Sequence, residues 1–441
     1  MLNFESKQTN YFIMNFKMAI RRNLVASILA ITVSLTLTAQ PKGLFSIVTC
    51  PAENTSKAMN ISWGADTTIT ECSIEYTLTR DTQWKESRTM KGASHLCTVF
   101  DKVYSKKADG TDFYEDAVFL KYEAALKDLK PRREYQYRIV SDRCTSDVYK
   151  FRTSGRNRWS ACIIADYHVY PPLRERLDNA MAMMDKVHEF DPGFDWVLHL
   201  GDITAWGGSY SFWQEMYEEE HFKNYMWAGV NGNHDNMSRG YIKNTNEYFK
   251  EANFYPRNGY KGEEGVCYWF YWGDALFIML NNESMKDDEG LRAAQEWVSD
   301  VVKNNPARYR VVCEHYQWFF GDSGKTSQYG RWSDLFDELG IDLALAGNNH
   351  IYVRTNAIYQ GKESDGKKGT VYIQAPSSDN ERGVPTPNPL TENLDKIRFR
   401  WSEGAMTVGA IHLDVNKKRM VLTLLDRYGN ILDKAEVKSK K

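Results

Sequence analysis

The sequence predicts an all-β segment followed by an α/β segment. Three observations carry this: period-two alternation up to about residue 155, apolar strands alternating with helical patterns from residue 158, and metal-type side chains at the ends of the later strands. The chain has 441 residues, enough for two domains and a sizeable core. Aromatics reach 13%, which suggests a well-packed sandwich, an aromatic-lined cleft, or both. The formal charge of −2 gives no nucleic-acid or membrane signal.

Residues 1–39 read as a leader. Lys17, Arg21 and Arg22 precede an apolar run from Leu24 to Leu37, and Thr38-Ala39-Gln40 offers a small-residue cleavage point after Ala39. That is the pattern of a secretory signal peptide. The run is too short and too Ser/Thr-spotted for a membrane span; left uncleaved, it would serve as an N-terminal anchor. Export to the periplasm or medium is therefore expected, with no stable membrane span after cleavage. Met14 and Met18 are alternative starts. Removing residues 1–39, with four basic groups and one acid, takes the formal charge from −2 to −5. Seven cysteines is an odd number for an exported protein. Cys50, Cys72, Cys97 and Cys144 leave room for up to two disulfides, in a pairing the sequence does not settle. Cys162 and Cys313 sit inside apolar strands and read as small buried hydrophobes.

Residues 40–155 read as all-β. Asn60 to Trp63, Cys72 to Tyr76 and Tyr135 to Ile139 alternate with period two. Leu129-Lys130-Pro131 ahead of Tyr135 and Tyr137 resembles the corner of a fibronectin type III-like sandwich, with Trp63 as its core tryptophan. Asp109-Gly110 marks an insertion or long hairpin loop, and residues 153–157 the linker.

Residues 156–441 read as α/β. Ala161 to Ala165, Trp196 to Leu200, Tyr309 to Cys313 and Ile341 to Ala346 are apolar strands. Leu173, Leu177, Met181, Met184 and Val187 repeat at helical spacing, as do Leu291, Ala294, Val298 and Val301. Further helices are expected over Ser211 to Asn224 and over Ser333 to Leu339, the latter closed by Gly340. Residues 369–376 and 405–434 supply further strands.

Each of these strands ends in residues that bind metal: Asp166-Tyr167-His168, Gly201-Asp202, Glu314-His315 and Gly347-Asn348-Asn349-His350. Gly232-Asn233-His234-Asp235 forms a fifth motif. In α/β sheets, ligands bind beyond the carboxyl ends of strands. Asp166 and His168, two apart, can grip one ion. Gly201 and Gly232 permit sharp turns. Asn233 can offer its amide oxygen, and His234 with Asp235 reads as a base or acid with a carboxylate orienter. His199 reads as a packing residue. A two-metal centre that hydrolyses phosphate esters needs this set of donors.

The ordered set resembles the calcineurin-like metallophosphoesterase superfamily, whose pattern runs D-x-H, G-D, G-N-H-D/E, a lone H, and G-H-x-H. With the β-sandwich in front, the chain looks like the purple acid phosphatase-like branch, and Gly347 to Arg354 is similar to that branch's G-H-x-H-x-Y-x-R. The resemblance implies a four-layer α/β/β/α sandwich and two divalent ions (manganese, zinc, iron or magnesium). Metal one would take Asp166, His168 and His350; metal two would take Asn233 and His315; Asp202 would bridge them. The ions would generate the hydroxide that attacks phosphorus. His234 would stabilise developing charge or protonate the leaving alkoxide, steadied by Asp235.

Two departures qualify the likeness. The branch's metal-binding tyrosine, three residues after the bridging aspartate, is Ala205 here, so the iron–tyrosinate colour should be absent. The first histidine of G-H-x-H is Asn348, whose amide oxygen is a weaker ligand than imidazole for a zinc-like ion. Metal two then binds loosely, prefers a harder ion, or is missing. The leading reading is an exported hydrolase of small phosphoesters; the competing one is a metallophosphoesterase-fold binding protein weakened at Asn348. Trp206, Tyr316 and Trp318 are candidates for a cleft wall or for packing. Arg354 would meet a substrate phosphate or pair with an acid. Monoester or diester, and oligomeric state, are not legible.

Overall fold

The computed structural model describes residues 43–106, 112–237, 245–319, 327–378, 393–403 and 407–440. The leader over 1–39, Asp109-Gly110 and Phe320 lie outside these residues. The N-terminal part holds strands β1 (Leu44–Pro51), β2 (Met59–Ala65), β3 (Cys72–Leu78), β4 (Arg88–Lys91), β5 (Ala93–Lys106), β6 (Asp112–Leu126), β7 (Glu134–Ser141) and β8 (Tyr149–Arg152). The expected landmarks are present. Trp63 is buried and stacks on Tyr122 with ring centroids 5.5 Å apart. At the corner, the Lys130 N–H donates to the Tyr135 hydroxyl at 2.9 Å.

After the linker come β9 (Arg158–Ile164), α1 (Glu175–Phe190), β10 (Trp196–His199), α2 (Tyr210–Glu218), α3 (Glu220–Asn224), β11 (Met226–Gly229) and α4 (Glu247–Ala252). Next are β12 (Tyr268–Trp272), β13 (Ala275–Met279), α5 (Asp288–Asn304), β14 (Tyr309–Cys313), α6 (Tyr329–Leu339), β15 (Leu343–Ala346) and β16 (Tyr352–Thr355). A short hairpin, β17 (Ile358–Tyr359) with β18 (Lys362–Glu363), precedes β19 (Val371–Gln374), β20 (Ile397–Trp401), β21 (Gly409–Asn416), β22 (Arg419–Asp426) and β23 (Ile431–Lys438). The helix expected over 211–224 breaks at Glu219, whose extended backbone (ψ 137°) separates α2 from α3. Gly340 closes α6 in the left-handed conformation (φ 64°), as expected. The β12–β13 hairpin is an addition, since sequence reasoning assigns no element there.

Two sheets organise the described residues. One runs β12-β13-β14-β15-β19-β16-β20. The other has ten strands in the order β23-β22-β21-β9-β10-β11-β1-β2-β6-β5. The second crosses the expected domain boundary. β1 adds in parallel beside β11, with Thr49 opposite Met226, so half of the N-terminal strands prolong the α/β sheet. Of the N-terminal strands, only β4-β3-β7-β8 form a separate sheet. The physical reason is edge satisfaction: without β1, the N–H and C=O groups along one side of β11 would lack partners.

Side-chain alternation along β13 shows how the layers stack. Phe277 packs on Trp196 of the ten-stranded sheet with centroids 5.1 Å apart, inside the core between the sheets. Leu276, Ile278 and Leu280 point the other way, into a second core with Val298 of α5 and Phe336 of α6. Helix α1 covers β9 and β21 with Leu177, Met181, Met184 and Val187, all buried. The result is the mixed α/β sandwich the sequence implies. All seven cysteines are free thiols, so neither of the disulfides allowed for the N-terminal part forms; Cys162 and Cys313 are buried in β9 and β14.

Candidate metal centre

The five motifs emerge on the same side of the two sheets because β9, β10 and β11 run parallel, as do β14 and β15. Their turns are strained. Asp166, His168, Asp202, Asn348 and His350 all have left-handed φ, between 49° and 66°. Non-glycine residues adopt that region only where surrounding structure compels it, and they gather at functional sites. Gly201 (φ 89°) allows close approach as well, since a Cβ there would stand 2.5 Å from His315 Nδ1.

The donors converge. One ligand atom from each of Asp166, His168 and His350 lies within 4.8 Å of the others; so do those of Asp166, Asp202 and His315, and those of His168, Asp202 and His234. His168 Nε2 is 3.2 Å from His350 Nε2, and His350 Nε2 is 3.5 Å from Asp166 Oδ1. His315 Nε2 is 3.3 Å from Asp202 Oδ2 and 3.2 Å from Asn233 Oδ1, and Asp202 Oδ2 is 3.9 Å from His168 Nε2. Bonds of about 2.1 Å in tetrahedral geometry would place ligand atoms about 3.4 Å apart, so the donor set suits small divalent ions. Asp166, His168, Asp202, His315 and His350 form a buried floor, and Asn233, His234, Trp206, Tyr316 and Asn348 a half-buried rim.

Backbone carbonyls orient the rings. His315 Nδ1 lies 2.7 Å from Leu200 O, and His234 Nδ1 lies 2.7 Å from Ala205 O. Each Nδ1 therefore carries the proton and each Nε2 faces the centre. Burial opposes charge on His315, but the charge and hydrogen bond of Asp202 overcome it and push the imidazole up to about 10. Burial likewise opposes charge on Asp202, and His315, His234 and His168 together hold it well below the usual carboxylate range. His199, buried against Tyr255, is pushed down to about 3 by burial and stays neutral, in keeping with packing.

Asp235 does not steady the ring of His234. Its carboxylate turns inward, accepting the Thr204 N–H at 3.0 Å, the Thr204 hydroxyl at 3.1 Å and the Gly232 N–H at 2.9 Å. Burial and the charge of Asp202 raise it to about 7. It ties the Asp202 and Asn233 turns together, and the Ala205 carbonyl takes the role expected of it. The His234 N–H in turn donates to Asp202 Oδ1 at 2.8 Å.

Arg354 is committed elsewhere. Its Nε and Nη2 bind the two oxygens of Asp433 at 2.5 and 2.9 Å, which is the acid-pairing alternative rather than a substrate contact. Trp318 is fully buried in the second core and is no cleft wall. Tyr210, Trp213, Tyr217 and Trp227 are also buried and serve packing. Trp206 lies against His234, centroids 5.2 Å apart, and the Tyr316 hydroxyl donates to Glu283 at 2.7 Å beside His315. The Asn348 N–H donates to Asp166 Oδ2 at 3.1 Å, and its side-chain amide donates to Gln317. Sequence reasoning passes over Gln317, Asn281 and Asn282. The last two directly follow an apolar strand, the same signal that marks the other motifs.

Residues 161–352 match the calcineurin-like phosphoesterase family, and residues 45–153 match the purple acid phosphatase N-terminal domain. The chain carries both domains, and the two families indicate a phosphoester hydrolase; the calcineurin-like family uses a binuclear metal centre. Among solved structures, the purple acid phosphatase PPD1 from yellow lupin (Lupinus luteus) seeds is similar at 16% identity and TM-score 0.66, over 90% of this chain and 75% of that one. PhoD is similar at 12% identity and TM-score 0.58, over 91% and 94%. No curated protein matches the chain in sequence.

Proposed function

We propose that this protein is an exported hydrolase of small phosphoesters that works with two divalent ions. The observation that supports this most is the meeting of oxygen and nitrogen donors from five separate motifs at spacings suited to such ions. Bound there, the ions would polarise the phosphoryl group and lower the pKa of an attacking water. Asp166, His168 and His350 would hold one ion, Asn233 and His315 the other, with Asp202 between them. His234 projects Nε2 with its ring orientation fixed, so it can donate a proton or hydrogen bond to the departing alkoxide. Trp206 and Tyr316 would flank the leaving group. The leader over residues 1–39 accounts for export, and among the described residues no helix is long and apolar enough to cross a membrane.

The test is a screen of aryl phosphate monoesters and diesters against manganese, zinc, iron and magnesium, with metal content measured on the same protein. Asp202→Ala is expected to lower kcat/KM by roughly a thousandfold, because it removes the group shared between the two ions. Turnover equal to that of the native chain would refute the assignment.

A further inference from the structure

The segment Leu280–Asn282 has no role in the proposed function, yet it connects two of its ligands. The Leu280 N–H donates to Cys313 O at 2.9 Å, which prolongs β13 alongside β14 and brings Asn281 and Asn282 beside Glu314 and His315. Asn282 Oδ1 accepts the backbone N–H groups of both His315 and Tyr316, each at 2.8 Å. Its Nδ2 donates to Glu314 Oε2 at 2.9 Å. Asn281 reaches the opposite way. Its Oδ1 accepts Asn231 Nδ2 at 3.0 Å, two residues ahead of Asn233, and its Nδ2 donates to Glu263 Oε2 at 2.9 Å. Asn231, Asn281, Asn282 and Glu314 are all at most 2% exposed.

We propose that Asn281-Asn282 is a positioning clamp that sets the spacing between Asn233 and His315 and thereby the affinity of the second ion. The inference rests on the metal assignment of the previous section. At both positions the amide side chain accepts through its oxygen and donates through its nitrogen. In a buried site, each hydrogen bond lost leaves an orphan polar group, so the fully bonded pair is stiff. Stiffness matters most at this ion. Asn348 stands where the family pattern has a histidine, so the other donors must hold the ion through preorganised geometry.

The full chain is loaded with manganese, equilibrated against falling free Mn²⁺, and its bound ions are counted. Asn282→Ala and Asn231→Ala are each expected to loosen the second ion by about ten- to a hundredfold, leaving the first within about threefold. Asn231→Ala breaks the clamp at its far end and keeps the test valid if Asn282→Ala does not fold. Glu314→Gln, which retains an acceptor for Asn282, is expected to hold both ions within about threefold of the native chain. Native-like retention of the second ion in a folded Asn282→Ala or Asn231→Ala chain would overturn the clamp and leave the metal centre standing. A native chain that takes up none of manganese, zinc, iron or magnesium would overturn both.

Discussion

Asn348 carries the sharpest consequence of a single side chain. It sits against the Asp166 carboxylate through its own N–H, in a left-handed conformation (φ 66°) that histidine also tolerates. Its amide nitrogen is occupied by Gln317. Asn348→His would exchange a weak oxygen donor for imidazole, which suits zinc-like ions better. The expected outcome is about tenfold tighter retention of the second zinc ion, checked by metal analysis at fixed free zinc. Equal zinc content in the two proteins would place residue 348 outside the coordination sphere. The same scale shows a limit of motif reading. Asp235 follows His234 in sequence, yet its carboxylate binds Thr204 and Gly232 instead, because a residue's neighbour in the chain need not be its neighbour in space.

At the scale of elements, the carboxyl ends of the parallel strands concentrate the chemistry, and Glu314 at the end of β14 illustrates the cost. It is fully buried, and burial raises its carboxyl from 4.5 to about 8 against the opposing hydrogen bond from Asn282. The folded chain therefore keeps a proton that the unfolded chain has already released. Stability contributed by this group falls as pH rises from about 4.5 to about 8 and is flat above that. Glu314→Gln keeps the neutral form at every pH. In the metal-stripped protein at pH 7, it is expected to add stability on the order of 3 kcal/mol and to flatten the pH dependence across that window. Denaturant melts at pH 5 and pH 8 check this, and parallel pH slopes for the two proteins would contradict it. Strand identity was legible here from apolar runs ending in polar residues. The β12–β13 hairpin was passed over, because the Asn281-Asn282 pair that follows it holds no carboxylate or imidazole to mark it as a metal motif.

For the whole molecule, the ten-stranded sheet joins the two parts of the chain. β1 covers the edge of β11, and Lys121 of β6 is buried with its ammonium donating to Lys250 O and Asn253 O at 2.6 Å each. A chain beginning at Arg156 is therefore expected to be insoluble or to aggregate through the bare β11 edge. Soluble, monomeric, cooperatively melting protein from that start would show the N-terminal strands to be dispensable. By itself the sequence determined the fold class and the order of the strand-end motifs, because period, residue type and motif order are local properties. Only the tertiary structure decided that half of the N-terminal strands prolong the main sheet, that Arg354 answers Asp433, and that Asn281 and Asn282 bridge the Asn231 and His315 loops. Those are contacts between residues tens to hundreds of positions apart, and no local periodicity records them.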